Sequence, residues 1–334
     1  MSLPPVEIPL GAMRFNSDSQ KLEYWNGQIW MHIHTFNPDL DGGPRGIWAG
    51  GSTPTVLATI DYINIASAGN AADFGDLNEV KSEGAASSSN TKGIFAVGYN
   101  GPSRTANTSY IIIPTTGSAA DYNDLTSATN IALGFGNQTR GFAAGGKSPS
   151  NTDVIEYTTI ASNSDWKDFG DSTAAHVSGS GCATPTRGVY NLGYVTPARV
   201  ANIDFVTIPT LGNALDFGDL TVTRNGTGAL SNSIRGIWGA GETPSVVATM
   251  DYATLATTGN AVEFGDMLSG RFNIPNDGAS SPIRGVWGGG AAPSNQDVMQ
   301  YITIATQGNG VDFGNLTAAA SHKSALSNAH GGLG

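Results

Sequence analysis

The chain repeats one short strand-like segment six times, and this repeat constrains the fold more than any other feature. The segment is RGIWAGG at 45–51, with close copies RGFAAGG at 140–146, RGIWGAG at 235–241 and RGVWGGG at 284–290, and weaker copies KGIFAVG and RGVYNLG between them. Each copy opens with a basic residue, and these residues lie 47 to 49 positions apart: Arg45, Lys92, Arg140, Arg187, Arg235 and Arg284. A regular period of this size is typical of repeat architectures, so we expect six equivalent units.

Each unit continues in the same order after this segment. A polar loop follows, then a segment such as IDYINIA, a glycine turn, a segment such as AADFGDL and a run of small residues. The IDYINIA-like segments are short and rich in β-branched and aromatic residues, which favours strands over helices. We therefore expect four short antiparallel strands in each unit.

Four strands in each repeat of this length is the pattern of a β-propeller blade. One blade cannot bury both faces of its sheet, so we expect six blades to stack around an axis. The segment SALSNAHGGLG at 324–334 matches GALSNSIRG at 228–236, which leads into the basic residue of the fifth unit. The last segment is thus expected to supply the strand that the first unit lacks, which closes the ring and removes two exposed sheet edges.

The strand pattern within each unit resembles the kelch repeat. An apolar strand ends in a glycine doublet, a second strand has a central tyrosine, and a third has an aromatic residue near its end, over residues 40–334. This resemblance implies an all-β fold: a six-bladed kelch-like β-propeller with four-stranded blades, preceded by a small N-terminal three-stranded β module. The expected domains are residues 1–38 and 39–334. Kelch propellers include enzymes, adaptors and adhesins, so the resemblance does not determine function.

The amino-acid sequence of the units also resembles repeats in structural proteins of tailed bacteriophages, especially marine phages that infect cyanobacteria. The segment GAMRFNSDSQKLEYWNGQIWMHI at 11–33 is similar to a short module of tail-fibre and other virion proteins. The residues that carry this likeness are Arg14, Phe15, Asn16, Lys21, Leu22, Glu23, Tyr24, Asn26, Gly27 and Trp30.

This second resemblance implies a non-enzymatic virion protein, a fibre or appendage component made in the host cytoplasm. Its implied partners are other virion structural proteins and host cell-surface polysaccharide or protein. It also implies a homo-oligomer, of which a trimer is the usual state in phage fibres. A capsid or neck decoration protein with a purely structural role is the alternative.

The N-terminal segment predicts a three-stranded meander of AMRFN, KLEYW and QIWMHIH, with a type I′ turn at Asn26-Gly27. A sheet of this size cannot bury its own aromatic side chains. We therefore expect four of them to serve attachment or oligomerisation, packed on the propeller or on copies of the same module: Phe15, Tyr24, Trp25 and Trp30. The stretch HTFNPDLDGGP at 34–44 predicts a linker.

Composition excludes several classes of function. Only 13% of residues are charged and the formal net charge is −11, which argues against a nucleic-acid partner because phosphate binding needs clustered basic residues. The sequence contains no apolar run of membrane-spanning length and no recognisable signal peptide. The single cysteine, Cys182, cannot form an intrachain disulfide and is expected to be a small buried thiol.

Neither a cofactor nor a metal is predicted. The string DFG occurs at 73–75, 168–170, 216–218 and 312–314, but a catalytic motif is not needed once per repeat and the other protein-kinase motifs are missing. We expect the phenylalanine to pack between blades and the glycine and following aspartate to form a turn. Three roles stay open for these aspartates: pairing with the basic residue of a unit, a solvated turn, or calcium. His32 and His34 lack a third ligand.

Binding residues are expected where the repeats disagree. The loops after the glycine doublet should cluster on one rim, and units two and four carry there a tyrosine and an arginine, a pair suited to a sugar or a protein edge. The fifth unit has an irregular stretch at 267–279, whose arginine and phenylalanine we expect to be exposed. The candidate binding residues are Tyr99, Arg104, Tyr194, Arg199, Arg271 and Phe272. No catalytic residue is predicted, although a propeller enzyme acting on carbohydrate remains an alternative.

Overall fold

A computed structural model describes residues 8–16, 21–32, 43–275 and 278–333 of the chain. Contacts divide the chain into two compact units, Met1–Asp41 and Gly42–Gly334. The described residues form strands and two short 3₁₀ helices, Ile160–Ser162 and Gly331–Leu333, with no α-helix among them. The prediction of an all-β fold is therefore confirmed. The linker predicted at 34–44 lies largely outside the described residues.

The N-terminal unit contains an antiparallel sheet of three strands in the order β1-β2-β3. These strands are β1 (Met13–Asn16), β2 (Lys21–Trp25) and β3 (Trp30–His32). Met13 pairs with Tyr24, and Tyr24 pairs with Met31. The three-stranded meander is as predicted.

The turn between β2 and β3 differs from the prediction. The amide of Asn26 donates to the oxygen of Ile29 at 3.2 Å, so Gly27 and Gln28 are the two central residues. Gly27 has φ of +96°, and Gln28 is not among the residues with positive φ. A type I′ turn needs positive φ at both central positions. The predicted type I′ turn at Asn26-Gly27 is therefore wrong, because glycine occupies the first central position instead of the second.

The second unit contains six four-stranded antiparallel sheets within its described residues. Sheet 1 begins with β4 (Arg45–Ala49), β5 (Thr59–Asn64) and β6 (Ala72–Asp76). Sheet 2 contains β7 (Ala85–Ser88), β8 (Lys92–Tyr99), β9 (Arg104–Ile112) and β10 (Ala120–Tyr122). Sheet 3 contains β11 (Leu133–Gly136), β12 (Arg140–Ala144), β13 (Thr152–Thr159) and β14 (Lys167–His176).

The remaining sheets follow the same order. Sheet 4 contains β15 (Ser180–Ala183), β16 (Arg187–Asn191), β19 (Asn202–Thr207) and β20 (Leu215–Asp219), with a separate hairpin of β17 (Tyr194–Val195) and β18 (Ala198–Arg199). Sheet 5 contains β21 (Gly228–Ser231), β22 (Arg235–Gly239), β23 (Thr249–Thr254) and β24 (Val262–Asp266). Sheet 6 contains β25 (Ala279–Ser280), β26 (Arg284–Gly288), β27 (Val298–Thr303) and β28 (Val311–Asn315).

The fourth strand of sheet 1 comes from the other end of the chain. It is β29 (Ser324–Ser327), and it pairs antiparallel with β4, with Leu326 opposite Ile47 and Ser327 opposite Gly46. The expectation that the last segment completes the first unit is thus confirmed.

Apolar side chains pack in clusters between consecutive sheets. The cluster between sheets 5 and 6, for example, contains Ile237 and Trp287, both fully buried. A further cluster joins Trp48 of sheet 1 to Val286 and Phe313 of sheet 6. Stacking of this kind buries both faces of each sheet. The second unit therefore has a propeller-like architecture of four-stranded antiparallel sheets.

The DFG segments lie in the outermost strand of their sheets. Ile60 pairs with Gly75 and Asp61 with Asp73, so Phe74 is the extra residue of a β-bulge, and its ring is buried. Gly75 has φ of +144°, and a Cβ at this position would lie 2.6 Å from the backbone of Gly117 in sheet 2. The structural role is confirmed, but the predicted turn is wrong, because the glycine lies in a strand where it permits close approach of the next sheet.

Candidate functional site

The repeated basic residues connect neighbouring sheets. Arg45 Nη1 in sheet 1 donates to the oxygen of Ile113, which follows β9 of sheet 2, at 2.8 Å. The guanidinium carbon of Arg45 lies 5.2 Å from the centroid of the Tyr62 ring in its own sheet. The other basic residues repeat both contacts in their own units: Lys92, Arg140, Arg187, Arg235 and Arg284. They are structural cations whose donors are used by backbone carbonyls.

The aspartates that follow the DFG glycines do not pair with these cations. In the described part of the chain, no ion pair joins the two sets. The backbone amide of Asp171 instead donates to the side-chain oxygen of Asn213 in the next sheet at 3.1 Å. Among the described residues, no group of three or more His, Cys, Asp or Glu is arranged to hold a metal ion. His34 lies outside those residues.

The four predicted rim residues form two equivalent pairs. Tyr99 lies opposite Arg104 across β8 and β9, and Tyr194 lies opposite Arg199 across β17 and β18. All four side chains are half-buried. The two pairs belong to the second and fourth units, so the third unit lies between them in the chain and they form two separate sites.

Each rim arginine already has a protein partner. Arg104 Nε donates to Asn130 Oδ1 at 2.8 Å, and Arg199 Nε donates to Asn225 Oδ1 at the same distance. Arg199 also lies 2.9 Å from Glu242, and both of these side chains are about one-third exposed. These contacts orient the guanidinium groups and leave part of each accessible to a ligand.

The loops after the glycine doublets are tied to the neighbouring sheet in a regular way. Isolated bridges join Tyr99 to Ser82 and Tyr194 to Val177. The residues that follow these partners, Glu83 and Ser178, have φ near +60°. Equivalent bridges occur at Lys147, Glu242 and Ala291. The loops therefore occupy equivalent positions in their units, as expected for a shared rim.

The two residues predicted to be exposed in the fifth unit are less exposed than expected. Arg271 is only 1% exposed, because its Nη1 atom donates to the oxygens of Gly289 at 3.1 Å and Val298 at 2.9 Å. Phe272 is half-buried, and its backbone pairs with Ala291. The prediction of exposure is wrong for Arg271, since carbonyls of sheet 6 draw its guanidinium into the interior, and Phe272 is only partly exposed.

The aromatic residues of the N-terminal unit lie on opposite faces of its sheet. Phe15 is 65% exposed and Tyr24 is 38% exposed. Alternation along the strands and cross-strand pairing place both on the same face as Met13 and Met31, which are also exposed. We call these four residues the apolar face of the module. The sequence interpretation missed its two methionines.

The opposite face of the module holds the other two aromatic residues. The half-buried rings of Trp25 and Trp30 have centroids 5.6 Å apart. Arg14 lies over the Trp30 ring at 4.2 Å and pairs with the buried Glu23 at 2.9 Å. Contacts within the module thus cover this face. Trp25 and Trp30 are therefore less available than Phe15 and Tyr24 for contacts with another protein.

One cluster of side chains resembles a catalytic serine–histidine pair but is buried in the core. Ser172 Oγ lies 3.2 Å from His176 Nε2 and 2.9 Å from the Tyr190 hydroxyl. Burial lowers the pKa of His176 to about 4 and raises the pKa of Tyr190. Ser172 is 6% exposed and His176 is 1% exposed, so a substrate in solvent does not reach them. Cys182 is also buried, as predicted.

Comparisons with known proteins leave these sites unassigned: no protein-family model matches the chain, and no curated protein is similar to it. In the part of the chain that the structure describes, no helix is long and apolar enough to span a membrane.

Proposed function

We propose that residues 39–334 form a six-bladed, kelch-like β-propeller whose six sheets are the blades. Three features support this proposal. Apolar clusters lie between consecutive sheets and also between sheets 6 and 1. The basic residues bond from each sheet to the next and from sheet 6 back to sheet 1, and β29 completes the sheet of β4.

The function that fits best is that of a non-enzymatic structural protein in the virion of a tailed bacteriophage, as a fibre or appendage component. The module at 1–38 attaches the protein to other virion proteins or to copies of itself, and the propeller contacts the host surface or a neighbouring virion protein. The observation that carries this proposal is the apolar face of the module. Met13, Phe15, Tyr24 and Met31 are exposed together on a three-stranded sheet, which is the pattern of an interaction surface.

We propose no catalytic residue, because the side chains that could do chemistry are buried or bound to other groups of the protein. The repeated cations bind carbonyls, the Ser172–His176 pair is buried, and the guanidinium of Arg271 is internal. Tyr99 with Arg104 and Tyr194 with Arg199 are the groups best placed to contact host polysaccharide or protein, because a ring and a half-buried guanidinium are paired at each rim position.

Immunogold electron microscopy of purified virions, with an antibody against residues 43–333, tests this function. Gold on fibres or at the tail tip is the expected result. Gold on the capsid or neck would replace the fibre assignment by a decoration protein. Virions without gold would overturn the virion proposal, and the purified protein would then be assayed for hydrolysis of carbohydrate.

A further inference from the structure

Buried cations occupy one recurring position between neighbouring sheets. Lys81, between sheets 1 and 2, is 2% exposed, and its Nζ atom donates to the oxygens of Phe95 at 3.3 Å and Asn107 at 2.8 Å. Arg224, between sheets 4 and 5, is 0% exposed and pairs with the buried Asp251 at 2.8 Å. Both side chains follow the DFG segment of their unit at the same spacing.

Two further interfaces contain such a cation. Arg271 has the same place in the sequence of the fifth unit and binds carbonyls of sheet 6. Lys323 lies between sheets 6 and 1, where its Nζ atom is 3.2 Å from Asp61 Oδ2. Asp61 and Asp251 occupy matching positions in the third residue of β5 and β23. The carboxylate at this register is therefore neutralised by a lysine or arginine in these two interfaces.

Two interfaces keep the carboxylate but lack a lysine or arginine. Between sheets 3 and 4, His176 stands at the position of Lys81, and both carboxylate oxygens of Asp204 accept hydrogen bonds from Thr173.

The interface between sheets 2 and 3 differs in both residues. Thr129 stands at the position of Lys81 and Arg224, and Glu156 stands at the register of Asp251. Glu156 takes part in no ion pair among the described residues. The shorter threonine side chain leaves room where its counterparts fill the interface.

That room is a cavity of about 150 Å³. Its polar lining consists of Thr126, Ser127, Thr129, Ser148, Thr152 and Glu156, and apolar side chains complete the wall. Thr126 and Ser127 are exposed, so the cavity opens to solvent between the two sheets. A cavity of this size accommodates a group about as large as benzene.

Glu156 is the charged group of the cavity and is only 7% exposed. Both hydrogen bonds that it accepts, from the amide of Thr126 at 3.3 Å and its hydroxyl at 2.6 Å, end on Oε1, which leaves Oε2 for a ligand. Burial raises the pKa of Glu156, and the nearby Asp168 adds to the effect. A cation in the cavity would offset both costs of the buried carboxylate.

We infer that the cavity beside Glu156 binds the head group of an alkylammonium or alkylguanidinium ligand. The equivalent positions supply this chemistry from within the chain, through Lys81 and Arg224. The cation pairs with Oε2 of Glu156, and the threonine and serine hydroxyls accept its remaining hydrogen bonds. This inference concerns an interface between two sheets and does not depend on the proposed place in a virion.

Isothermal titration of the full chain with n-butylguanidinium, n-butylammonium and neutral 1-butanol tests the inference. We expect the two cations to bind with dissociation constants of about 1 to 10 mM, and 1-butanol at least about tenfold more weakly, since it leaves the carboxylate unpaired. A lysine-containing peptide that binds at least about tenfold more tightly than n-butylammonium would identify a side chain of a partner protein as the source of the cation.

Two variants decide between a ligand site and an incidental gap. Glu156→Gln keeps an acceptor for Thr126 but removes the charge, and it should weaken cation binding at least about tenfold. Thr129→Lys rebuilds the internal cation, so it should abolish binding and raise the thermal midpoint, with no rise when combined with Glu156→Gln. Asp168→Asn, which keeps Glu156, is the control and should still bind.

Equal binding of cations to wild type and Glu156→Gln would overturn the inference. The absence of binding at cation concentrations up to about 50 mM would do so as well. Binding of the cations to Lys147→Ala but not to wild type would also overturn the inference of an external ligand, because the exposed Lys147 would then fill the cavity itself. If Glu156→Gln does not fold, the titrations of wild type and Thr129→Lys decide the matter.

Discussion

The Nη1 atom of Arg284 donates a hydrogen bond of 2.8 Å to the backbone oxygen of Ala66, 218 residues earlier in the chain. The same guanidinium lies 4.6 Å from the centroid of the Tyr301 ring. Arg284 thus connects sheet 6 to sheet 1 while it packs on its own sheet. This double contact explains why a basic residue opens all six units: it offers donors to the next sheet and a face to the ring beside it.

We expect Arg284→Ala to lower the free energy of unfolding by about 1 to 3 kcal/mol, because a carbonyl loses its charged donor and a ring loses its cation. Urea denaturation measures this change. Lys147→Ala is the control, since the side chain of Lys147 is exposed, and it should stay within about 0.5 kcal/mol of wild type. Equal effects of the two substitutions would contradict the role of Arg284.

Gly265 and Gly308 form one contact in which only one glycine is required. Gly265 has φ of +147°, and a Cβ there would lie 2.5 Å from the oxygen of Gly308, whereas a Cβ at Gly308 would meet no atom within 4 Å. Gly265→Ala should therefore destabilise the protein by about 2 to 4 kcal/mol, and Gly308→Ala by less than about 0.5 kcal/mol. Thermal and urea unfolding of both variants will measure the difference. Similar unfolding midpoints for the two variants would contradict this prediction, because the sheets would then separate without a loss of stability.

Stability should fall as the pH decreases from 6.5 towards 4. Burial lowers the pKa of His176 and of His330 to about 4 in the folded protein, whereas the unfolded chain takes up these protons near 6.5. Between these values the unfolded state binds more protons, so acidification favours it by up to about 3 kcal/mol per histidine. Burial raises the pKa of Glu156 and of Asp204, and these groups oppose the loss as they gain protons.

Urea midpoints across this pH range test the linkage, with His176→Phe as the partner variant. Phenylalanine fills a similar volume and does not titrate, so the variant should lose less stability on acidification than wild type. The ring of His176 lies 5.9 Å from that of Tyr190, and an aromatic replacement preserves this packing. If the urea midpoint of the variant depends on pH as strongly as that of wild type, His176 does not contribute to the loss of stability in acid.

The repeated positions were predictable from the sequence, because a residue that recurs in every unit has the same environment in each. The buried ring of Phe74, at a position that is aromatic in all six units, is an example. Arg271 was misjudged because it was considered alone, in a stretch that looks irregular. Its spacing from Gly265 equals that of Lys81 from Gly75, and this alignment would have placed it among the buried cations.

The cavity at Glu156 is harder to find from sequence. Its signal is a missing charge, since Thr129 stands where the first, fourth and fifth units have a lysine or arginine. The third and sixth units also lack a lysine or arginine at this position, where they have His176 and Ala320, so the missing charge alone does not predict a cavity. The sixth unit shows the difficulty. Its cation, Lys323, pairs with Asp61 from a different position in the unit than Lys81 or Arg224 has. Only side-chain packing reveals which substitution leaves a cavity and which is compensated.

Self-association should depend on the apolar face of the module. Phe15 and Met13 are 65% and 63% exposed, and polar replacement of both, Phe15→Ser with Met13→Ser, should weaken association at least about tenfold, because each buried apolar side chain contributes about 1.5 to 3 kcal/mol. Sedimentation equilibrium measures the change. Leu211→Ser is the control, because Leu211 is 60% exposed in the second unit, and its oligomer should match wild type. An oligomer that survives both the double substitution and deletion of residues 1–38 would place the association surface in the second unit.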